Sequence, residues 1–418
     1  MFRQIAVPGF VLALALTACS GAGDEAGGDW AGTVTDSAGI EIVASPTTPL
    51  WAEGDGWTVE EALRIGKPAG EPEYQFGLIS GIGMTSGGEV LVMDQQGQEL
   101  KVFGPDGTWV RTIGDAGSGP GQFGPQAGPV LVGRGDTVLV PDLGNQRVNL
   151  LSPDGDQLGS FRLGLERGIP IRWEMTPDGT PVTQLRSLNL PGQAGGPADT
   201  MDAIVERAYD GTVTDTVLRV PSGKTFSFAS GTPEFHFFSP EPMWALTRDG
   251  GIVLGVNDAM SFRVFGPDGA LRRIVRMPFE PKSVTEEDKS IFLDTLERLW
   301  GQAGVPGEAI AQLKQAVSFE ARFPAYVQAL AGPGGSLWVQ RILRPSDLSA
   351  EEKEDFNPLQ NMGSPDWDVF DGEGRYLGVV GMPFHFQPLG FSGDDVYGVW
   401  RDELDVQYAM VLRIVGME

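Results

Sequence analysis

Two kinds of β-hairpin alternate along this 418-residue chain and predict an all-β repeat protein. The clearest copy of one kind is FGPDGTWVRTIG, Phe103 to Gly114, in which an Asp-Gly pair separates two β-rich runs. Such a pair favours a tight hairpin because both residues tolerate positive φ. Four further versions begin at Leu151, Ala208, Phe265 and Phe370.

The other kind of hairpin comes before each of these and consists of two apolar runs around a short Gly-containing turn. Six copies begin at Ile79, Gly128, Ile171, Met243, Tyr326 and Pro388. One hairpin of each kind makes four antiparallel strands, which is the size of a propeller blade. The sequence therefore predicts a six-bladed β-propeller with four-stranded antiparallel blades.

The count of hairpins also predicts how the ring closes. The chain ends with YAMVLRIVGM from Tyr408, a third strand of blade 6 with no fourth strand after it. The earlier segment WTVEEALRIG from Trp57 is the best candidate for that missing outer strand. Closing the ring in this way removes two exposed sheet edges. The segment Gly39 to Ser45 is a candidate for one more strand outside it.

Composition restricts the function classes. The chain has 59 Gly and 31 Pro without a period of three, which favours a turn-rich protein, and its 10 Trp and 22 Phe argue against disorder. The net charge of −26 disfavours nucleic acid as a partner, because phosphates require clustered Lys and Arg. The acidity indicates a solvated surface or, alternatively, a site for cations.

The N-terminal stretch has the pattern of a secretory signal. Arg3 precedes an apolar run from Ile5 to Leu16, and small residues then lead to Cys19, the only cysteine. Leu16 to Cys19, LTAC, resembles the lipobox of bacterial lipoproteins. The resemblance implies cleavage before Cys19, lipidation of its sulfur and attachment to a membrane of the cell envelope. In an organism with two membranes it favours the outer membrane or the periplasmic side.

These boundaries divide the chain into three parts. Residues 1–18 are predicted to be a lipoprotein signal peptide, residues 19–35 a flexible tether, and residues 36–418 the propeller.

A family resemblance supports the fold. FGPDGTWVRTIGDAGSGPGQF followed by LVPDLGNQRVNLLSPDG is similar to the NHL-type repeat, and residues 115–155 match it best. In that family a Gly-Pro-Gly-Gln-Phe run opens a blade and an Asp-x-x-Asn-x-Arg segment joins its second and third strands. The whole chain also resembles six-bladed propeller lipoproteins of environmental bacteria, most of which have no assigned activity. The resemblance therefore implies a fold and leaves the function open.

Four long segments are predicted to lie on one face of the ring, here called the insertion face. They connect strand two to strand three within a blade, or strand four to the next blade, and they span residues 187–206, 221–241, 281–322 and 342–366. Long loops on a rigid scaffold are where binding sites usually lie. The insertion between blades 4 and 5 is predicted to be helical over residues 284–318, with Thr285 as its N-cap and Pro306 opening a second helix. This helix pair either packs an apolar stripe on the propeller or forms a lid over its mouth.

The candidate ligand-binding residues all fall on this insertion face. They are His236, His385, Arg186, Arg341, Arg401, Asp142 and Asp258. Each histidine stands in a Phe-His-Phe sequence. The two histidines either form a pair of ligands or an acid/base couple at one site, or each belongs to a repeated structural plug. The arginines suit a small anionic or sugar-like ligand, and the acids suit Ca²⁺. Alternatively, the acids bond the backbone of their own tight turns, and the arginines pair with acids of neighbouring blades.

Two functions remain in view from the sequence. The first is a lipid-anchored binding or protein-interaction module whose partner is an unknown small molecule or protein. The second is a metal-dependent, lactonase-like hydrolase or lyase that holds a divalent cation such as Ca²⁺ at the mouth of the channel. The enzyme needs at least three oxygen or nitrogen side chains converging on the axis. No catalytic motif assigns a catalytic residue.

Overall fold

The computed structural model describes residues 30–165, 168–186, 201–227, 234–359 and 362–417. The predicted signal peptide, Cys19, most of the predicted tether, and residues 187–200 and 228–233 of two predicted insertions lie outside these ranges, so the lipidation site and these parts of the insertions remain predictions. The described chain is a six-bladed β-propeller with four-stranded antiparallel blades, which confirms the predicted fold.

The blades follow one another along the chain. Blade 1 contains β4 to β7: Ile79–Met84, Val90–Asp94, Glu99–Phe103 and Trp109–Ile113. Blade 2 contains β8 to β11: Leu131–Val132, Val138–Asp142, Arg147–Leu151 and Gln157–Arg162. Blade 3 contains β12 to β15: Ile169–Met175, Pro181–Arg186, Met201–Arg207 and Val213–Pro221. Blade 4 contains β18 to β21: Pro242–Leu246, Ile252–Val256, Ser261–Phe265 and Leu271–Arg276. Blade 5 contains β23 to β26: Tyr326–Ala331, Leu337–Ile342, Gly363–Phe370 and Tyr376–Gly381.

Blade 6 closes the ring as predicted. It contains β27, β28 and β29, which are Phe386–Ser392, Asp395–Arg401 and Gln407–Val415, and its outer strand is β3, Thr58–Ile65. The register runs antiparallel from Ala409↔Ile65 to Val415↔Thr58. Ile65 is buried in the cluster that joins blade 6 to blade 1. The first and last blades are therefore held together by both backbone pairing and core packing.

Burial across a blade explains its residue pattern. The second strands of blades 1 and 2, β5 and β9, are buried at all five positions because neighbouring blades cover both of their faces. The outer strand β7 is exposed at three of its five positions, since little packs against it. Apolar runs in the middle of each repeat and polar runs at its outer edge follow from these two environments.

The N-terminal hairpin corrects one prediction. The strand expected outside blade 6, β2 (Ile40–Ala44), lies instead along blade 4, parallel to β21 from Glu41↔Arg273 to Ala44↔Arg276. Its partner β1, Thr33–Ser37, begins within the stretch predicted as a tether. After β2 the chain crosses blade 5, where the amide of Trp51 donates to Leu377 O at 2.9 Å. The chain therefore passes blades 4 and 5 before it reaches blade 6, which explains why β2 cannot lie outside β3.

The insertion between blades 4 and 5 is helical, as predicted. Helix α1 is Glu286–Gln302 and helix α2 is Gly307–Gln315. Thr285 caps α1: its side chain accepts a hydrogen bond from the Asp288 amide, and the Asp288 carboxylate accepts one from the Thr285 amide. Phe292 and Leu296 are buried in a satellite cluster with Phe238 and Phe323, so α1 packs its apolar stripe on the insertion face.

Two small elements complete this face. Helix α3, Ala350–Asp355, lies in the insertion of blade 5. A three-stranded sheet contains β16 (Phe226–Ser227), β17 (Glu234–Phe237) and β22 (Val317–Phe319). Short 3₁₀ turns are found at Pro72–Tyr74, Arg134–Asp136, Pro333–Gly335 and Pro345–Asp347. None of the helices in the described ranges is long and apolar enough to cross a membrane.

Candidate functional site

The central channel is the larger of two cavities that bear on function. It has a volume of about 780 Å³ and is lined by the innermost strands of all six blades. Its described charged residues are Arg172 and Glu174, and they bond each other, with Nε to Oε1 at 2.9 Å. The other Glu174 oxygen accepts the Leu246 amide at 2.9 Å. This carboxylate is thus committed to holding blade 3 against blade 4, and no residue of α1 or α2 reaches the channel lining.

Asp142 lies in the segment whose sequence resembles an NHL-type repeat, and its hydrogen bonds hold the backbone of its own loop. Its side chain is fully buried and its oxygens accept the amides of Gly124 at 2.9 Å and Asn145 at 3.1 Å. Asn145 also donates to Asp142 and to Gly117 O, both at 2.8 Å. The motif therefore clamps its own glycine-rich loop, and Asp142 lines neither the channel nor the second cavity described below.

Arg186 and Arg341 are held by buried acids. Arg186 Nε lies 3.0 Å from Asp202, whose side chain is fully buried, and Arg186 Nη2 lies 3.3 Å from Glu241. Arg341 makes a bidentate pair with Asp368, at 3.0 and 2.8 Å. These hydrogen bonds raise the pKa of Arg341, with burial acting in the opposite direction. Both guanidinium groups thus stabilise the junctions of strands and loops, which leaves less of their hydrogen-bonding capacity for a ligand.

The two histidines do not meet in one site. His236 lies on β17, where Nδ1 is 2.6 Å from Ser318 Oγ and Nε2 is 3.5 Å from Glu234. It lines neither the channel nor the second cavity described below. His385 precedes β27 with a φ of 63°, and its ring lies 4.2 Å from that of Phe384. Asp258, the remaining candidate, is exposed beside blade 4 and raises the pKa of buried Tyr326, although burial itself is the larger cause.

The second cavity, here called the insertion-face cavity, brings His385 and Arg401 together. It has a volume of about 260 Å³ and lies between the end of α1, residues 343–357 and 363–365 of blade 5, residues 383–386 and residues 401–405. Its apolar lining comes from the satellite cluster and from blade 6, and the polar lining comes mainly from loop ends. The lining side chains include Arg298, Leu299, Leu348, Glu352, Glu354, Phe356, Phe384, His385, Arg401, Asp402, Glu403 and Asp405.

Arg401 differs from the other candidate arginines in its hydrogen bonding. Its side chain is 13 % exposed, and it donates no hydrogen bond to any residue in the described ranges. Asp405 Oδ1 lies 3.2 Å from Nε without the alignment of a hydrogen bond, and Asp405 is 69 % exposed. Burial lowers the pKa of Arg401, and Asp405 opposes this effect. Because an arginine remains protonated at neutral pH, a largely buried positive charge faces the cavity with open donors.

The neighbouring carboxylate Asp402 does not satisfy this charge. It accepts the amides of Leu404 at 2.9 Å and Val406 at 3.0 Å, and the Tyr408 hydroxyl at 2.9 Å. Asp402 therefore shapes the turn between β28 and β29. Within this turn only Asp405 contacts the guanidinium of Arg401, at the 3.2 Å given above and without a hydrogen bond.

Sequence reasoning selected His385 and Arg401 but missed their surroundings. Arg298, Glu354 and Phe356 come from insertions more than 40 positions away from Arg401, and no repeat pattern relates them to blade 6. Only the shared insertion face could have suggested that they meet. Within the described residues, no three His, Cys, Asp or Glu side chains form a group that could hold a metal ion.

Comparison with known proteins finds distant structural similarities only. No protein-family model matches the chain, and no curated protein matches it significantly. Among solved structures, a protein of Bacteroides fragilis thought to be exported covers 89 % of this chain and 99 % of its own length, at 12 % identity and a TM-score of 0.48. A virginiamycin B lyase from Staphylococcus aureus covers 86 % and 99 %, at 8 % identity and a TM-score of 0.41. A gluconolactonase from Xanthomonas campestris covers 81 % and 86 %, at 12 % identity and a TM-score of 0.42.

Proposed function

We propose that this protein is a secreted, lipid-anchored propeller of the cell envelope that binds a ligand carrying a carboxylate in its insertion-face cavity. The observation that supports the proposal is the guanidinium of Arg401, largely buried, open to the cavity and without a hydrogen bond inside the described chain. A buried charge with open donors is costly unless a partner satisfies it. A planar carboxylate matches the donor geometry of a guanidinium in a bidentate pair.

The walls of the cavity indicate the rest of the ligand. Leu348, Phe356 and Phe384 line it, and the first two belong to the satellite core. An apolar body next to the carboxylate would bury its surface against these side chains. The volume of about 260 Å³ lies just below the range of about 300–1,000 Å³ that is typical of ligand sites, which fits a small body such as one aromatic ring or a branched alkyl chain.

The channel gives weaker support to the alternative of a metal-dependent hydrolase or lyase. Glu174 is the single carboxylate among the described lining residues, and Arg172 and a backbone amide already occupy its oxygens. A divalent cation needs several oxygen or nitrogen donors at one point. The donor set of the channel therefore favours binding in the insertion-face cavity over chemistry on the axis.

The test uses 3-phenylpropionate and 3-phenylpropanamide as a matched pair of probes. At roughly 10 mM, a ligand with a Kd near 1 mM stabilises the folded protein by about 1.4 kcal/mol. We expect the acid, and not the amide, to raise the unfolding midpoint of the wild type. Arg401→Gln should lose this effect and Arg401→Lys should keep part of it.

The matched control is Arg272→Gln, which removes an exposed arginine from the opposite, hairpin face, where it pairs with Asp268. This variant should respond to the acid like the wild type. Equal stabilisation by acid and amide, or an unchanged response in Arg401→Gln, would overturn the proposal.

A further inference from the structure

The mouth of the insertion-face cavity has the opposite charge from its interior. Glu354, Glu403 and Asp405 line the mouth, and all three are exposed. The side chains of Glu354 and Glu403 make no hydrogen bond or ion pair within the described ranges, and the side chain of Asp405 has only its loose contact with Arg401. The other two lining carboxylates are engaged: Glu352 caps α3 with Ser349, and Asp402 holds its turn. Arg298 also belongs to the exposed lining, and its guanidinium donates to Phe356 O at 3.3 Å. A ligand therefore meets an exposed lining in which three acids outnumber one arginine, and the positive charge of Arg401 inside.

Exposed apolar side chains lie beside these acids. Leu404 is 81 % exposed and stands between Glu403 and Asp405 in the chain, and Phe384 is 38 % exposed next to His385. The turn set by Asp402 fixes the backbone at Leu404, so this side chain is presented to solvent by an ordered loop. Leu404 thus offers an apolar contact surrounded by acids.

We infer that the ligand is the free C-terminus of a peptide or protein whose last residue is apolar and whose preceding residues are basic. The inference rests on the proposed carboxylate site and deepens it. The terminal carboxylate pairs with Arg401, the last side chain enters the apolar cavity, and preceding Lys or Arg side chains lie against Glu354, Glu403 and Asp405. Their aliphatic stems cover Leu404 and Phe384, as long basic side chains commonly do on apolar surfaces.

Charge complementarity is the reason to choose this occupant. A simple anion is attracted by Arg401 but repelled by the mouth, and a simple cation is attracted by the mouth but repelled by Arg401. A peptide C-terminus with basic residues before it satisfies both, with successive residues about 3.3–3.6 Å apart along an extended chain. C-terminal carboxylate capture is a recurring mode of peptide recognition.

The experiment measures fluorescence anisotropy of labelled hexapeptides with the purified protein. The peptides end in Lys-Lys-Leu as the free acid, in Lys-Lys-Leu as the amide, and in Glu-Glu-Leu as the free acid. We expect the basic acid to bind at least about tenfold more tightly than its amide, and this preference should vanish in Arg401→Gln. The acid with two glutamates should bind about three- to tenfold more weakly than the acid with two lysines, and added salt should reduce that difference.

Matched variants separate the contribution of the acidic mouth to binding from that of Arg401 in the interior. The double variant Glu403→Gln, Asp405→Asn should bring the two free-acid peptides closer in affinity and keep the preference for acid over amide. The control Asp154→Asn, Asp156→Asn removes the same charge from a hairpin turn of blade 2 and should bind like the wild type.

Each failure has a distinct meaning. If acid and amide bind equally, the carboxylate site of the proposed function is wrong. If the acid is preferred but Lys-Lys-Leu and Glu-Glu-Leu bind alike, the proposed function stands and the basic peptide is wrong. If free leucine competes with the same affinity as the whole peptide, the ligand is an amino acid, and the peptide inference is overturned.

Discussion

Blades 2 and 6 place opposite charges at the same point of the repeat. Asp142 ends the second strand of blade 2 and is opposite Arg147, whereas Arg401 ends the second strand of blade 6 and is opposite Gln407. In blade 2 the acid accepts hydrogen bonds from its own loop, and Arg147 donates to the carbonyls of Ser118, Gly119 and Gln122 at 2.7–2.9 Å. In blade 6 no carbonyl of the loop reaches Arg401.

This difference between blades 2 and 6 shows how one position of the repeat can change from a structural role to a candidate binding site. Turn amides of the chain can satisfy an acid at this position, because N–H groups converge on the loop. An arginine placed there meets donors where it needs acceptors, and Arg401 lines the cavity with no hydrogen bond from its guanidinium to the loop. Gln407 does not compensate, because its side-chain oxygen is occupied by the Ile79 amide at 2.7 Å.

The largest expected effect is on stability at these two equivalent positions. Asp142→Ala removes a fully buried acceptor and leaves the amides of Gly124 and Asn145 unpaired, so we expect a loss of about 3 kcal/mol or more. Arg401→Gln removes a buried charge that has no hydrogen bond, and we expect a change within about 0.5 kcal/mol or a small gain. Urea denaturation of the two variants measures both. A large loss in Arg401→Gln would show that the described chain does satisfy this arginine.

A smaller effect should follow from replacing the partner arginine of blade 2. Arg147→Ala removes three charge-assisted hydrogen bonds to loop carbonyls, and because that loop is partly exposed, water can replace some of them. We expect a loss of about 2 kcal/mol. Arg413→Ala is the control, since the side chain of this arginine is 63 % exposed and forms an ion pair only with Asp395 on the neighbouring strand β28. If both variants lose the same stability, the clamp formed by the NHL-like motif is not what holds blade 2.

The fold could be predicted because each blade repeats a local signal. Asp-Gly pairs mark the outer hairpins, and the unpaired strand at Tyr408 required a partner, which Trp57 to Gly66 supplied. The position of β2 was missed because its sequence, IEIVA, would fit any exposed sheet edge. Pairing with β21 is decided by the route of the chain across blade 5, which is a long-range property.

The candidate site was only partly predictable for a related reason. Residue type identified Arg186, Arg341 and Arg401 equally, and nothing local separated them. Asp202 and Asp368, which neutralise the first two, come from strands that pair with theirs, whereas Arg401 faces insertions of other blades. Whether an arginine keeps hydrogen-bond donors without a partner depends on side chains that are distant from it in the sequence.

The smallest expected effect concerns the wall of the cavity and its dependence on pH. Asp288 joins α1 to the blade 5 insertion: its oxygens accept the amides of Thr285 and Ser346, both at 2.9 Å. Burial alone would raise the pKa of Asp288, but these hydrogen bonds outweigh it and the pKa is lowered from 3.8. A group with a lowered pKa in the folded state contributes stability above about pH 4, and this contribution is lost as the pH falls through the folded value.

Asp288→Asn should therefore be less stable than the wild type at pH 7, by about 1 kcal/mol, and the difference should shrink as the pH falls below about 4. The comparison is made by urea denaturation across that range, with Asp154→Asn as the control for general loss of negative charge. In the same variant, the basic peptide should bind more weakly at pH 7, because Ser346 lies in the loop that leads to the cavity lining at Leu348. A constant difference in stability at all pH values would mean that Asp288 acts through its shape, and that the carboxylate charge does not hold the two insertions together.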